Sequence, residues 1–500
     1  MIIRHPRLLA LSLFLPLACG DATGGASASA GGSSSGDHGT TAAGTTGGSD
    51  PTTTSASGTG GASDTATTGE PGTTTGGSTG DPGTTTAVGS TSSDTTGGAL
   101  DTFLIGVDVR DVSPSDTQIG KKNIYMGAYG APYTRGPAQG VHDAIHARTF
   151  AFEAEGGGLI LTIVDLPGMG NQNTRAIRQK VAAMTGLDEA QIVVATTHSH
   201  SAPDMMGLWG GVPGDYRNFI NDTVVASMAA AWDARQPGTL RVATGKAPNG
   251  NRRDWGFTDD DMIVLDAFDM NGQRLGTLVN FAAHPVVLGE DNKLVSCDYV
   301  GYTEGKLGEL LGAPAALFNG TLGDASPKVP EGMYADDFAA AQAYGEQLAG
   351  IAADLTMTSE PIEPTLVWTH KSWEQTVDNL LFKAAAQLGI LQYDFDMVDI
   401  LNQKVTTQST YFRLGTRVQG VAFPGESLTR NGLEIKKSMK APHRMILGNA
   451  GDALGYFVPS DEWQTGKNDN YEESVSLGKT AGDNARDNIV PLIVADNPNF

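Results

Sequence analysis

Two histidines, His198 and His200, stand in the stretch Q-I-V-V-A-T-T-H-S-H-S-A-P of residues 191–203. Ile192, Val193 and Val194 are a short β-branched run, the composition of a buried strand, and the run stops at Thr196 and Thr197. The histidine pair is therefore expected where a core strand leaves its sheet. In extended backbone, residues two apart project to the same side, so both imidazoles would face one point, and imidazoles that share a point commonly share a metal. Loops at the carboxyl ends of strands are also where α/β proteins place ligands. Two polar histidines satisfied by hydrogen bonds fit the same pattern, so the weight rests on what else the chain brings to such a point.

Four further segments bring polar groups to strand ends. His284 follows the apolar run of V-N-F-A-A-H-P at 279–285, where a lone core histidine is the alternative. Asp324 and Ser326 stand in N-G-T-L-G-D-A-S-P at 319–327, a composition that also suits a plain turn. Glu426 closes V-A-F-P-G-E at 421–426, a position that equally suits the start of a helix, and Tyr456 lies in G-Y-F-V-P at 455–459.

The elements that must hold these groups can be read from periodicity. Strands are expected at 103–109, 159–164, 192–197, 240–243, 262–268, 275–282, 365–369, 412–422 and 445–447, with a hairpin turn at Asn271-Gly272. Helices are expected at 173–184, 216–234, 300–311, 336–355 and 473–490; Phe338, Ala341, Tyr344, Leu348, Ile351 and Leu355 recur at helical spacing and read as a core stripe. Residues 376–410 carry no period that assigns them. The pattern predicts an α/β fold, a mixed β-sheet core flanked by helices, forming a single catalytic domain over residues 99–500.

Composition separates what precedes that domain. Residues 1–19 carry Arg4 and Arg7, an apolar run over 8–17 and then Ala18-Cys19, a lipoprotein-type signal peptide in which Cys19 becomes the lipidated first residue, with an ordinary cleaved signal as the alternative. Residues 20–98 are almost wholly Gly, Ser, Thr, Ala and Asp, without Lys, Arg or aromatic residues. They cannot bury enough apolar surface to offset ordering entropy, so they read as a disordered linker, a tether giving reach. An exported protein of the bacterial cell envelope is expected, lipid-anchored or otherwise secreted. The net charge is −23, and residues 1–98 hold two Arg against seven Asp or Glu, which leaves −18 on the remainder. So acidic a body excludes nucleic acid as a partner class. Nothing in the sequence points to a protein partner. With Cys19 lipidated, Cys297 has no disulfide partner, and the domain is expected to be stable on its core alone.

In combination the segments resemble the neutral and alkaline ceramidases. T-H-S-H-S-A-P is similar to that family's T-H-T-H-S-G-P, and F-A-A-H-P at 281–285 to its F-A-x-H-P or F-A-x-H-G. V-S-C-D-Y-V-G-Y at 295–302 resembles V-x-S-D-x-x-G-Y, L-G-D-A-S-P at 322–327 resembles L-G-D-V-S-P, and P-G-E at 424–426 resembles the start of P-G-E-F. Upstream, M-G-A-Y at 126–129 and R-T-F at 148–150 resemble M-G-Y and R-A-F. The matches run in the family's order from about residue 103 to 490.

The resemblance implies a zinc-dependent amidohydrolase that cleaves the N-acyl amide of ceramide or a related acylated lipid, by attack of a metal-bound water. It implies His198, His284, Glu426 and Tyr456 as zinc ligands, a set of neutral imidazoles and oxygen donors that suits Zn2+. His200 matches the family's second histidine, a proton carrier or oxyanion donor beside the metal; Arg252 matches its substrate-contacting arginine and Ser326 its essential serine. Each of these three also has a plain structural reading, respectively a supporting polar histidine, a surface arginine and a turn serine. After Ser326 the chain is shorter than the ceramidases and lacks the match to their immunoglobulin-like domain. The stretch 205–211 also differs, and the family's further tyrosine has only an offset match in Tyr471. These departures leave open a zinc hydrolase of the same scaffold acting on another amide or ester, or a non-catalytic tethered binding lipoprotein.

Overall fold

The structure is a computed structural model describing residues 101–130, 133–396 and 402–500. The expected signal peptide, Cys19 and the linker of residues 20–98 lie outside the described residues.

The larger sheet contains β1 (Phe103–Asp111), β2 (His146–Ala154), β3 (Gly157–Val164), β4 (Ile192–Thr196), β5 (Gln236–Lys246), β6 (Asp261–Asp269), β7 (Arg274–Phe281) and β8 (Ala315–Asn319), in the spatial order β8-β7-β6-β5-β1-β2-β3-β4. A short segment, Glu360–Pro361, adds to β5. The middle of the sheet is antiparallel, whereas both flanks are parallel: β3 with β4 and β7 with β8. Parallel neighbours need a crossover, and helices supply it: α1 (Asn171–Thr185) between β3 and β4, and α3 (Asp298–Leu311) between β7 and β8. Two further helices, α2 (Gly214–Asp233) and α4 (Asp337–Thr356), complete the layer on that face.

A second sheet runs β9 (Leu366–Thr376), β10 (Lys404–Leu414), β11 (Val418–Ala422) and β12 (His443–Leu447), antiparallel except for the parallel pair β11 and β12. The side-chain period of two decides how the sheets stack. On β3 and β4, Ile160, Val164, Ile192 and Val194 join the core under α1 to α4, while Leu159, Leu161, Ile163 and Val193 point the other way and pack with Phe412, Leu414, Met445 and Leu447 of the second sheet. The far face of that sheet, with Tyr411, Val421 and Ile446, is covered by Ile435 of α6 (Thr429–Lys437) and by Ala485, Ile489 and Ile493 of α7 (Ala481–Asp496). A shorter helix, α5 (Leu380–Gln387), precedes α6 in the chain. The result is four layers, helix, sheet, sheet, helix, a mixed α/β architecture with helices outside. Strands buried on both faces explain why the apolar runs are continuous rather than alternating.

Several expected elements need correction. Strand β2 went unread because H-A-R-T-F-A-F-E-A places a charge inside a strand, where Arg148 meets Asp165 at 2.7 Å. The expected strand 412–422 is the meeting of two strands, β10 and β11, turned at Gly415, whose φ of +53° suits glycine. Strand β9 extends to Thr376, well past the expected 369. The expected helix 473–490 begins only at Ala481, because Gly478 at φ +154° breaks helical continuity and Glu472 and Glu473 are drawn inward to pair with Arg253. Residues 376–410 contain α5 and the first half of β10.

One close approach sets the spacing between the large sheet and α2. At Gly106 on β1, an added Cβ would stand 1.8 Å from the Ala231 carbonyl oxygen, so helix and strand touch backbone to backbone. Gly106→Val should therefore lower stability by about 3 kcal/mol, the upper end of overpacking costs. Denaturant unfolding with a wild-type midpoint would contradict the packing.

Candidate metal centre

Three strand exits meet at one point. At the first, β4 ends at Thr196 and the chain turns sharply, with His198 at φ +69° and its N–H donating to the Leu166 carbonyl at 2.9 Å. The extended backbone expected across His198 and His200 is thus absent. The two imidazoles converge nonetheless, their Nε2 atoms 3.2 Å apart, because the left-handed residue swings the chain back over the strand end. At the second exit, His284 follows β7 and its N–H donates to the Ala325 carbonyl at 3.0 Å. At the third, Glu426 follows β11 and pairs in a two-residue parallel ladder with Tyr456.

The side chains close on one another. Glu426 Oε2 lies 3.3 Å from His198 Nε2 and 3.2 Å from His284 Nε2, and the Tyr456 hydroxyl lies 3.3 Å from His284 Nε2. Donors arranged tetrahedrally about 2.0 Å from an ion stand about 3.3 Å apart, so the three separations match the edges of a zinc-sized tetrahedron. All four residues are buried. His198, His200 and His284 also form a cluster able to hold a metal.

Hydrogen bonds separate the histidines by role. His198 Nδ1 faces the Pro167 carbonyl and His284 Nδ1 the Leu322 carbonyl at 2.6 Å. A carbonyl only accepts, so Nδ1 carries the hydrogen in both rings and each Nε2 presents a lone pair, the arrangement usual for ligating histidines. His200 has no such clamp. Its Nδ1 is buried without a partner, its backbone carbonyl accepts from Arg135, and its ring meets Tyr129 edge-on at 4.9 Å between centroids. Distance admits His200 as a ligand too; the carbonyls at Nδ1 set the other two apart.

Electrostatics cut across that division and lower His284 and His200 alike. Burial pushes His284 down to about 4, with the Arg252 guanidinium adding to the effect. Burial, then His198 and His284, hold His200 well below the ordinary histidine range. For Glu426, burial opposes ionisation, but His198 and His284 outweigh it and keep the carboxyl well below the usual carboxylate range. The set at neutral pH is therefore one carboxylate with neutral His200 and His284.

Around the donors lies a supporting network, of which Arg253, Glu472 and Glu473 were not expected from sequence. Arg252, expected to contact substrate, donates from Nη2 to the Tyr456 hydroxyl at 2.9 Å and to the Gly323 carbonyl at 2.6 Å, and from Nε to Glu472 at 2.9 Å. Glu472 also takes Arg253 at 2.9 Å, and Glu473 takes it at 3.1 Å. The only signal for this cluster was the adjacent carboxylates of Y-E-E-S at 471–474. Tyr471 packs edge-on against Tyr456, with 5.9 Å between centroids. Ser326 is not brought into the donor set: it sits on a short ladder opposite Gly250, next to Ala325, whose carbonyl holds His284.

An apolar cavity opens beside His198 and Glu426. Met206, Leu208 and Trp209 form one wall, and Phe382, Leu391 and Phe395 form another. The second wall belongs to the stretch that carried no readable period. It is strapped down by Gln392, whose N–H donates to the Met206 carbonyl at 2.9 Å, and by the Tyr393 hydroxyl, which donates to the Ala453 carbonyl.

The depressed value at His284 has a measurable consequence. Folded, the ring takes its proton only near pH 4, whereas unfolded it does so near 6.5, so the unfolded chain binds more protons between those values. In metal-free protein, the contribution of His284 is present above about pH 6.5 and is lost as pH falls toward 4. His284→Gln should flatten that part of the stability profile, read by thermal melts across the window; identical slopes would contradict the assignment.

No protein-family model matches the chain. It is 28% identical over 234 residues to the neutral ceramidase of Pseudomonas aeruginosa, covering 41% of this chain and 35% of that protein. It is 25% identical over 228 residues to neutral ceramidase B of Dictyostelium discoideum, covering 40% of this chain and 31% of that protein. The matched region thus spans about a third of the length of these relatives. Among solved structures, the crystal structure of the Pseudomonas aeruginosa neutral ceramidase superposes with a TM-score of 0.67 at 18% identity, covering 80% of this chain and 75% of that one. A ceramidase complexed with C2 gives 0.64 at 17% identity, covering 80% and 76%. The chain is thus similar in sequence to neutral ceramidases over two fifths of its length and shares their fold over four fifths.

Proposed function

We propose that this protein hydrolyses the amide bond of an N-acylated lipid, ceramide or a near relative, at a zinc ion held by His198, His284, Glu426 and Tyr456. The observation that carries the reading is the donor set itself: two imidazoles with their Nε2 lone pairs fixed by backbone carbonyls, set 3.2–3.3 Å from one carboxylate oxygen in a buried pocket. The relatives, named as ceramidases, supply the reaction class. Zinc in such a set supplies a Lewis acid and lowers the pKa of water at the site.

The chain's own residues do the rest. The neutral His200 stands with its Nε2 beside the donor set and can take a proton there and return it to the leaving amine. Arg252 orients the Tyr456 oxygen through the 2.9 Å hydrogen bond, and its guanidinium opposes the burial that pushes this hydroxyl well above the usual tyrosine range, which favours the uncommon tyrosine donor. On this reading Arg252 acts through Tyr456, and Ser326 keeps only the role its resemblance implies. The apolar cavity takes the hydrocarbon chain and keeps water from it. We also propose that Cys19 carries a lipid and that residues 20–98 tether the enzyme to the cell envelope.

His198→Ala and His284→Ala should each lose both zinc and hydrolysis of N-acyl sphingosine, because too few donors remain; full metal content in either variant, measured by elemental analysis, would sink the ligand set. His200→Ala should keep zinc while turnover falls roughly 100- to 10,000-fold, the range for a lost acid–base group. A panel of N-acyl sphingosines, N-acyl amino acids and simple esters decides between ceramide and another acyl substrate, and a wild-type chain lacking zinc would favour a binding protein. Cys19→Ser should move the protein out of the membrane fraction without changing turnover on detergent-dispersed substrate.

A further inference from the structure

Asn449 stands beside the metal centre with nothing to bind. It is 2% exposed, it lines the cavity together with His198 and Glu426, and neither its side-chain nitrogen nor its side-chain oxygen has a hydrogen-bond partner. A buried polar group left in this state destabilises the fold, and Asn449 carries two.

Its backbone is fixed as firmly as the donors. The Asn449 N–H donates to the Gly425 carbonyl at 2.9 Å, and its carbonyl accepts from the Thr196 N–H at 3.2 Å. It is thus pinned between the residue preceding Glu426 and the end of the strand that leads to His198. Its φ is +46°, a conformation glycine holds at least cost and asparagine tolerates. Nothing in the local fold uses the side chain.

We infer that Asn449 is a substrate-binding residue that pairs with a neutral group offering both a donor and an acceptor at the metal end of an otherwise apolar ligand. A charged group would be buried here among apolar walls, whereas Asn449 supplies one donor face and one acceptor and no charge. A secondary amide matches it on both sides. An ester matches only the donor and leaves the Asn449 oxygen unpaired. Asn449 therefore sets a preference for N-acyl amides over the corresponding esters, since sites built to hydrogen-bond an N–H discriminate against analogues that lack it. This deepens the amide-hydrolysis reading and rests on it for the identity of the ligand.

The test separates binding from reaction. Metal-free full-length protein, which does not turn over, is titrated with a short-chain N-acyl sphingosine and with the ester of the same acyl chain. Wild type should bind the amide at least tenfold tighter than the ester. Asn449→Gly, which relaxes the backbone and removes the amide, should bring the two within about twofold; Asn449→Asp, which keeps size and tolerates the same φ, should weaken the amide by tenfold or more. After zinc is restored, Asn449→Gly should raise KM for the amide with metal content unchanged. Wild-type amide affinity in both variants, or an equal loss for amide and ester, would overturn the inference, leaving a group satisfied by trapped water or a generally damaged cavity. If wild type hydrolyses neither compound but the amide preference is present and vanishes in the variants, the binding role stands and the hydrolytic reading falls.

Discussion

Placing a carboxylate oxygen against two imidazole lone pairs inside a protein is unfavourable unless a cation stands among them. Glu426 is in that position when both rings give their Nδ1 hydrogens to backbone carbonyls; what lets it stand so close and ionised is a positive charge among the three, an ion or a proton on an Nε2. The arrangement makes chemical sense as a cation receptor, and it persists only because the surrounding backbone holds each group where it stands.

That backbone is the product of the layered fold. His198, His284 and Glu426 each follow a strand belonging to a parallel pair, β4 beside β3, β7 beside β8 and β11 beside β12. The carboxyl ends of these pairs come from two different sheets packed face to face, and the centre forms where they meet. Links between the exits hold the junction: Asn319 donates to the Thr197 and Ala283 carbonyls at 3.0 and 2.9 Å, and Gly448 N–H donates to the Asn319 carbonyl at 2.8 Å. Strand termini are ordinarily the loosest part of a sheet. Here they are tied to one another before any ligand arrives.

The sequence revealed those parts of this design that are local. Apolar runs ending in histidine identified β4 and β7 and the residues leaving them, because burial on both faces writes itself as an unbroken hydrophobic stretch. Glu426 and Tyr456 were visible only through resemblance, since a carboxylate after Pro-Gly has no local mark of its purpose. The left-handed turn at His198 was hidden, because its cause is the Leu166 carbonyl on a neighbouring segment. Glu472 and Arg253 escape the sequence because they meet across more than two hundred residues, and Asn449 because its side chain has no hydrogen bond to reveal it. The wall formed by Phe382, Leu391 and Phe395 was illegible because its apolar residues face a cavity and follow neither helical nor strand period.

The two-residue ladder joining Glu426 to Tyr456 has a bearing on which ion the site can accept. Two donors from neighbouring parallel strands keep a separation set by backbone hydrogen bonds, and rings clamped at Nδ1 cannot retreat. Larger oxygen-seeking cations such as calcium need six to eight ligands at about 2.3–2.6 Å and a cage that spreads to suit them. The ladder holds the backbone beneath both oxygen donors, so the spacing at which the site meets an ion rests on strand pairing as well as on the identity of the ligands.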